Sequence, residues 1–394
     1  MKKLVLLLPL LILLGSIAGI FILDDGKSDP QLEAQAKKGE IKKMVPQTVS
    51  FDAAIPNYFA LNMNEAVSYE KMRVYPIISS NQYEKDHAAL AKYLNLEEGL
   101  ATGKIQIMEL GETERQRNSG VLFNPNPLNN PIIVPDSDRN HEVQTAYAQG
   151  ASVNTLTVEN TSNDPVYIMA GEIVQGGRQD RVIAEDQIIA ANSGKVAVPV
   201  FCVEPGRWSF RDKPVKTTTN NSNGNIYAFT GYFNVASNDI RHTVKHKKDQ
   251  GQVWAKVGEM RNRHNINGDK STTYGDLANS KGFIKTRDAY IENFATAFDE
   301  NEKVIGFMVV SGTEVLGSDI FATHDLFKKQ YKVLLHSYVT ESITYGKKIR
   351  VENATVQDHF DNSMNKYFSK QADEKQELEL KFVQDNKVVH FTDI

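Results

Sequence analysis

The sequence predicts an α+β protein, with a β-rich, sandwich-like or bent-sheet core and helices mainly in the C-terminal half. Three observations carry this. Short apolar runs cut by Gly, Pro and Asn fill residues 49–210, as expected of short strands. Apolar residues at helical spacing are concentrated after residue 236. An apolar content of 41% against 24% charged residues is enough for a real core over 394 residues and excludes disorder along most of the chain.

Taken in order, Lys2 and Lys3 precede an uncharged run, Leu4–Leu23, which Asp24, Asp25 and Lys27 follow. Twenty residues at about 1.5 Å each cross a hydrocarbon layer of roughly 30 Å. Residues 1–23 are therefore expected to anchor the chain in a membrane. The alternative is a signal peptide with its core at Leu4–Leu14 and small residues at Ser16-Ile17-Ala18 for cleavage. The apolar Ile20–Leu23 that cleavage would leave behind favours the anchor. Both readings export the body of the protein. Residues 24–48 are polar and without periodicity, which predicts a solvated tether.

The body, 49–345, is expected to be one domain, β-rich over 49–210 and helix-rich over 236–345, with 346–394 a C-terminal extension. Strands are predicted at TVSFDAAI, MRVYPIIS, GKIQIMEL, GVLFNP, NPIIVP, NTLTVEN, DPVYIMAGEIV, RVIAEDQIIA and KVAVPVFCVE. One helix is expected over Tyr83–Leu94. Residues 212–226 read as a polar surface loop. A long helix is predicted from Asn238 to His264 with a break at Gly251, and another over 285–298. Residues 303–321 read as a hairpin turning at Gly312-Thr313-Glu314. A helix opening at Asp325 places Phe327, Tyr331, Leu334, Leu335 and Tyr338 on one face. A final helix over 353–371 leads to a hairpin turning at Asp385-Asn386.

Composition narrows the chemistry. With 45 Lys+Arg and 49 Asp+Glu the net charge is −4, with no dominant basic stripe, so no nucleic-acid partner is expected. The lone Cys202 excludes an internal disulfide and any Cys-rich zinc site. Within VPVFCVE it reads as a small buried hydrophobe rather than a nucleophile. Neither the dinucleotide nor the phosphate-loop glycine pattern occurs, nor the Gly-x-Ser-x-Gly elbow, and no cofactor is called for. His242 and His246 stand at i, i+4, but no acid lies between them and Lys247 and Lys248 would repel a cation, so no metal is expected. The basic run Arg241, His242, Lys245, His246, Lys247, Lys248 reads as an exposed helix face. Nothing in the sequence fixes the oligomeric state.

Two blocks concentrate the remaining polar information: Gly171–Arg181 (GEIVQGGRQDR) and Cys202–Trp208 (CVEPGRW). In each, an apolar strand runs into a glycine turn rich in charged and amide side chains. Gly176 and Gly177 permit positive φ and close backbone approach to a ligand. Arg178, Arg181 and Arg207 offer planar forks for carboxylate or phosphate. Gln179, Asp180 and Trp208 complete the ligand-binding candidates, and Glu172 and Glu204 are the candidate general acid and base. The plainer alternative is a solvated hairpin tip.

These blocks resemble those of a bacterial domain family named for its association with ADP-ribosylglycohydrolase and rhodanese-phosphatase-superfamily proteins. The resemblance rests on Gly171-Glu172, Gly176-Gly177, Gln179 and Arg181, and on Val198-Pro199-Val200, Cys202-Val203-Glu204 and Gly206-Arg207-Trp208. Leu96–Leu100, Ile105, Ile107, Glu109, Val158–Asn160, Arg241, Trp254 and the segments 306–321 and 335–338 add to it, so it spans roughly 70–345. Its name implies a link to ADP-ribose or related nucleotide metabolism, without an assigned reaction. Three functional readings follow. The exported domain binds an anionic small molecule or glycan through the two blocks; or Glu172 and Glu204 hydrolyse a glycosidic or phosphoester bond; or the blocks are a structural ion-pair network.

Overall fold

Met72–Ser79 is buried at every position, which marks a strand covered on both faces. In this computed structural model it lies inside an antiparallel sheet. The structure describes residues 58–90, 92–109, 154–206, 215–216, 225–226, 229–266, 272–368 and 380–394. Met72–Ser79 pairs on one side with Phe59–Leu61 and Val67–Tyr69. On the other side follow Val304–Ser311, Glu314–Phe321, Lys387–Asp393 and Lys381–Gln384. The C-terminal hairpin thus extends the same sheet, and its turn falls at the expected Asp385-Asn386, both at positive φ (50° and 60°).

The helix His324–Thr344, capped by the Thr323 side chain, packs on this sheet. All five residues of its predicted face are buried, and Phe307 meets Tyr331 and Tyr338 edge-on at 5.0 and 5.4 Å. A second antiparallel sheet has the strand order Phe229–Val235, Glu172–Gly176, Arg181–Ile183, Gly194–Cys202, Thr155–Asn160, Ile105–Glu109. It shares an apolar core with a three-stranded sheet of Gln187–Ile189, Val166–Ile168 and Leu94–Asn95. Ile173 and Val182 turn to the opposite face, onto Val253, Val257 and Met260 of the helix Gln250–Arg263. The fold is α+β, with most of its helix in the C-terminal half.

Several boundaries differ from expectation. DPVYIMAGEIV is two strands broken at Met169–Gly171, where Gly171 adopts φ +94°. RVIAEDQIIA is likewise two strands, Arg181–Ile183 and Gln187–Ile189. At each break the chain passes from one sheet to the other. The helix expected over 83–94 ends at His87, and a second begins at Leu96 behind an Asn95–Glu98 capping box. The long helix breaks at Lys248 (φ +50°) and Asp249, which caps the next helix, while Gly251 sits within that helix. The helix expected from Lys285 starts at Lys281 because Ser280 caps it.

The expected anchor and tether (1–48), the strands TVSFDAAI, GVLFNP and NPIIVP, and Arg207 and Trp208 lie outside the described residues. So does most of the expected loop over 212–226. Among the described residues no helix is long and apolar enough to cross a membrane.

Candidate functional site

Glu172 opens its strand fully buried. Its Oε2 accepts the Met169 N–H at 2.7 Å and its Oε1 accepts the Tyr232 hydroxyl at 2.8 Å. Burial pushes the carboxyl up to about 8 even with these two donors in place. The turn it closes is held at every N–H, since Ala170 N–H donates to Asp186 Oδ1 (2.7 Å) and Gly171 N–H to the Ile183 carbonyl (2.9 Å). A Cβ on Gly171 would stand 2.7 Å from Cγ of Arg241, so glycine is needed there for space as well as φ.

Gln179, Asp180, Arg181 and Glu204 come together at the other end of the same strand. Asp180 closes the glycine loop by accepting from Gly176 N–H (3.2 Å) and from the Thr273 hydroxyl (2.6 Å). Its own N–H donates to Glu204 Oε2 at 3.0 Å, and Gln179 Nε2 donates to the Glu204 carbonyl at 2.7 Å. Arg181 donates to the Gln179 carbonyl (2.9 Å) and faces Glu109 at 3.6 Å. Arg178 reaches that same carboxylate through its N–H at 2.8 Å. Arg261 in turn holds the Thr273 segment through the Thr273 carbonyl and Asp276.

Glu172 does not join this group. Four residues of strand, at about 3.3 Å each, set it roughly 13 Å away. The four residues that do gather are 4% exposed or less. Gly177 supplies close approach, but to the chain itself: a Cβ there would meet the Phe229 ring at 2.5 Å and Glu109 Oε1 at 2.7 Å. Cys202 pairs across the strands with Arg181 and is fully buried, and burial pushes its thiol up although Arg181 pulls the other way. A bulky thiol reagent should label it only as the protein unfolds. Labelling of the native chain as fast as that of an unfolded control would refute this.

A second cluster was not anticipated. His390 donates to Asp186 Oδ2 (2.9 Å) through Nδ1 and to Asp319 Oδ1 (3.1 Å) through Nε2, at 1% exposure. With a carboxylate on each nitrogen the ring must carry both protons, and it is raised above the usual imidazole value although burial alone would lower it. Asp319 also accepts from Arg241 (2.8 Å) and from the Tyr338 hydroxyl (2.6 Å). Burial works against both carboxylates, yet the cations beside them hold Asp186 and Asp319 well below the ordinary range.

Arg241 and Lys245, expected on an exposed basic face, are 2% and 9% exposed. They lie one turn apart and face inward, Arg241 onto Asp319 at 2.8 Å and Lys245 toward the same cluster, where Asp186 acts on it most strongly among the carboxylates. The sequence does carry a signal for this cluster: Asp319 and His390 are single charged or titratable residues within the apolar strands GSDIF and VVHF. The rings of His242 and His246 lie 4.7 Å apart between centroids. Among the described residues no group of His, Cys, Asp and Glu has the arrangement of a metal centre.

A model of the family described as "ARG and Rhodanese-Phosphatase-superfamily-associated Protein domain" matches residues 60–391, which takes in both signatures, the second cluster and the C-terminal hairpin. No curated protein and no solved structure matches the chain.

Proposed function

The chain belongs to the ARG and Rhodanese-Phosphatase-superfamily-associated Protein domain family, and from that premise we propose an exported, membrane-tethered binding domain whose two signatures form its internal frame. One observation carries the frame reading. Glu172 and Glu204 are 0% and 1% exposed, Glu172 opens the strand Glu172–Gly176 while Glu204 lies near its far end, and each accepts a backbone N–H, from Met169 and from Asp180 respectively. A carboxylate that cleaves a glycosidic or phosphoester bond has to touch that bond. These two touch their own backbone, which favours a structural role over hydrolysis.

The ligand in this reading is an anionic small molecule or glycan. The frame reaches the surface at the exposed Gly206, and Arg207 and Trp208 follow it in sequence, supplying a guanidinium and an indole for such a partner. The run Leu4–Leu23 supplies the tether.

Thermal unfolding with a metabolite and glycan panel tests the reading. Glu204→Ala should lower the melting temperature by several degrees. Arg207→Ala should leave it in place while removing the shift produced by an anionic panel member. Turnover of a glycoside or phosphoester that Glu204→Gln abolishes without lowering the melting temperature would establish the hydrolase instead. Cell fractionation should keep the protein with the membrane and its body open to external protease. A released form with its terminus near Gly19 would refute the tether.

A further inference from the structure

The cluster around Asp319 is out of balance in both charge and hydrogen bonds. In the interior two carboxylates, Asp186 and Asp319, face three cations, Arg241, Lys245 and His390, while the neighbouring Glu185 is half-exposed and pairs with Lys248. The carboxylates are already engaged: Asp186 with Ala170 N–H and His390, Asp319 with Arg241, His390 and Tyr338. Lys245 is the cation left over. It is 9% exposed, it feels Asp186 most strongly among the carboxylates, and no carboxylate among the described residues lies within ion-pair reach of it.

Two further groups are unmet at the same place. Nε of Arg241 and the hydroxyl of Tyr167 are buried without a hydrogen-bond partner. Tyr167 stands against the His390 ring, with centroids 6.3 Å apart. Ammonium, guanidinium N–H and phenol share one property: each has a hydrogen to give. A buried donor without an acceptor costs on the order of 1–3 kcal/mol, so the group that completes this site is rich in acceptors and negatively charged. The backbone is also irregular here. Thr243–Lys247 is a π-helical turn ended by a left-handed Lys248, and such turns occur often at functional sites.

We propose that this interior cluster binds a small oxyanion, a phosphate or carboxylate group, which enters past Lys245 and is held by Lys245, Arg241 Nε and the Tyr167 hydroxyl. The site lies away from Glu204 and Arg207 and does not depend on the signatures binding anything.

The test titrates the full-length chain with inorganic phosphate and, separately, with succinate, each against sodium chloride at equal ionic strength. Thermal unfolding and the acetylation rate of Lys245, read by mass spectrometry, are the two measurements. At least one anion should raise the melting temperature with concentration and slow Lys245 acetylation severalfold, where chloride does neither. The phosphate and succinate arms separate a phosphoryl from a carboxylate ligand. Lys245→Met should lose the shift and melt no lower than the parent, since a buried cation without a partner gives way to an apolar side chain at little cost. Arg207→Ala should keep the shift. If Lys245→Met does not fold, protection of Lys245 in the parent chain decides alone. No shift beyond chloride, no protection of Lys245, or a shift that survives Lys245→Met would each overturn the proposal. A shift lost only in Arg207→Ala would place anion binding at the signatures instead.

Discussion

Asp319→Ala should be among the most damaging single substitutions in this chain, with a loss of about 3–5 kcal/mol. Asp319 is fully buried and is the only residue that Arg241, His390 and Tyr338 all bond to among the described contacts. Its removal leaves a guanidinium and an imidazolium in the interior with one carboxylate between them. For a domain of this size that is a fall in melting temperature on the order of 10 °C. Asp319→Asn, which keeps an acceptor but not the charge, should fall between the variant and the parent. A melting temperature for Asp319→Ala within a degree or two of the parent would show that the cluster is hydrated and worth little. The cost belongs to the broken network rather than to its net worth. Replacing Asp319, Arg241 and His390 together by apolar residues of similar volume should cost less than the single change.

Glu172 yields the second large effect, and its sign depends on pH. The carboxyl titrates near 4.5 when exposed and at about 8 in the fold. Between those values the native state keeps a proton that the unfolded chain has released. The stability contributed by this group is therefore complete below about 4.5, falls as pH rises, and is gone above about 8, at a slope approaching 1.4 kcal/mol per pH unit within the window. Glu172→Gln reproduces the protonated acid: its carbonyl can accept from Met169 and its amide can face Tyr232. It should match the parent in acid, melt higher than the parent above pH 8, and flatten the slope between. Glu172→Ala should be worse than both in acid, because it leaves the Met169 N–H and the Tyr232 hydroxyl unmet in the core, about 1–3 kcal/mol for each. Equal slopes for the parent and Glu172→Gln in unfolding curves across pH 5–9 would rule out the proton on Glu172.

What the sequence reveals here depends on whether the information is local. Met72–Ser79 and the face of the helix His324–Thr344 follow from apolar spacing alone, and the Asp385-Asn386 turn from residues that tolerate positive φ. The break at Met169–Gly171 is hidden because Met169 and Ala170 are apolar, so the run looks continuous across the turn. That hidden turn also reverses the place of Glu172. An unbroken strand would put it beside Glu204, whereas a strand starting at Glu172 puts it at the far end. Gln179, Asp180, Arg181 and Glu204 converge because the adjacent strands that carry them meet at one edge of the sheet. Their partner Glu109 comes from an outer strand of the same sheet, and no local pattern ties it to them. The inward turn of Arg241 and Lys245 was illegible for the same reason. A basic pair one turn apart is ordinarily solvated, and only residues far along the chain make the interior hospitable to it.

That separation has a consequence for how long the native state lasts. Asp186 meets His390 across 204 positions, Arg241 meets Asp319 across 78 and Asp319 meets His390 across 71. Closing loops of such length comes late, after local hairpins and helices have formed and the surrounding sheets have docked. Interactions absent from the transition state leave the rate of reaching the fold nearly unchanged and act on the rate of leaving it. The buried charges thus serve as a latch: they contribute little to finding the native structure and much to the time a molecule stays in it.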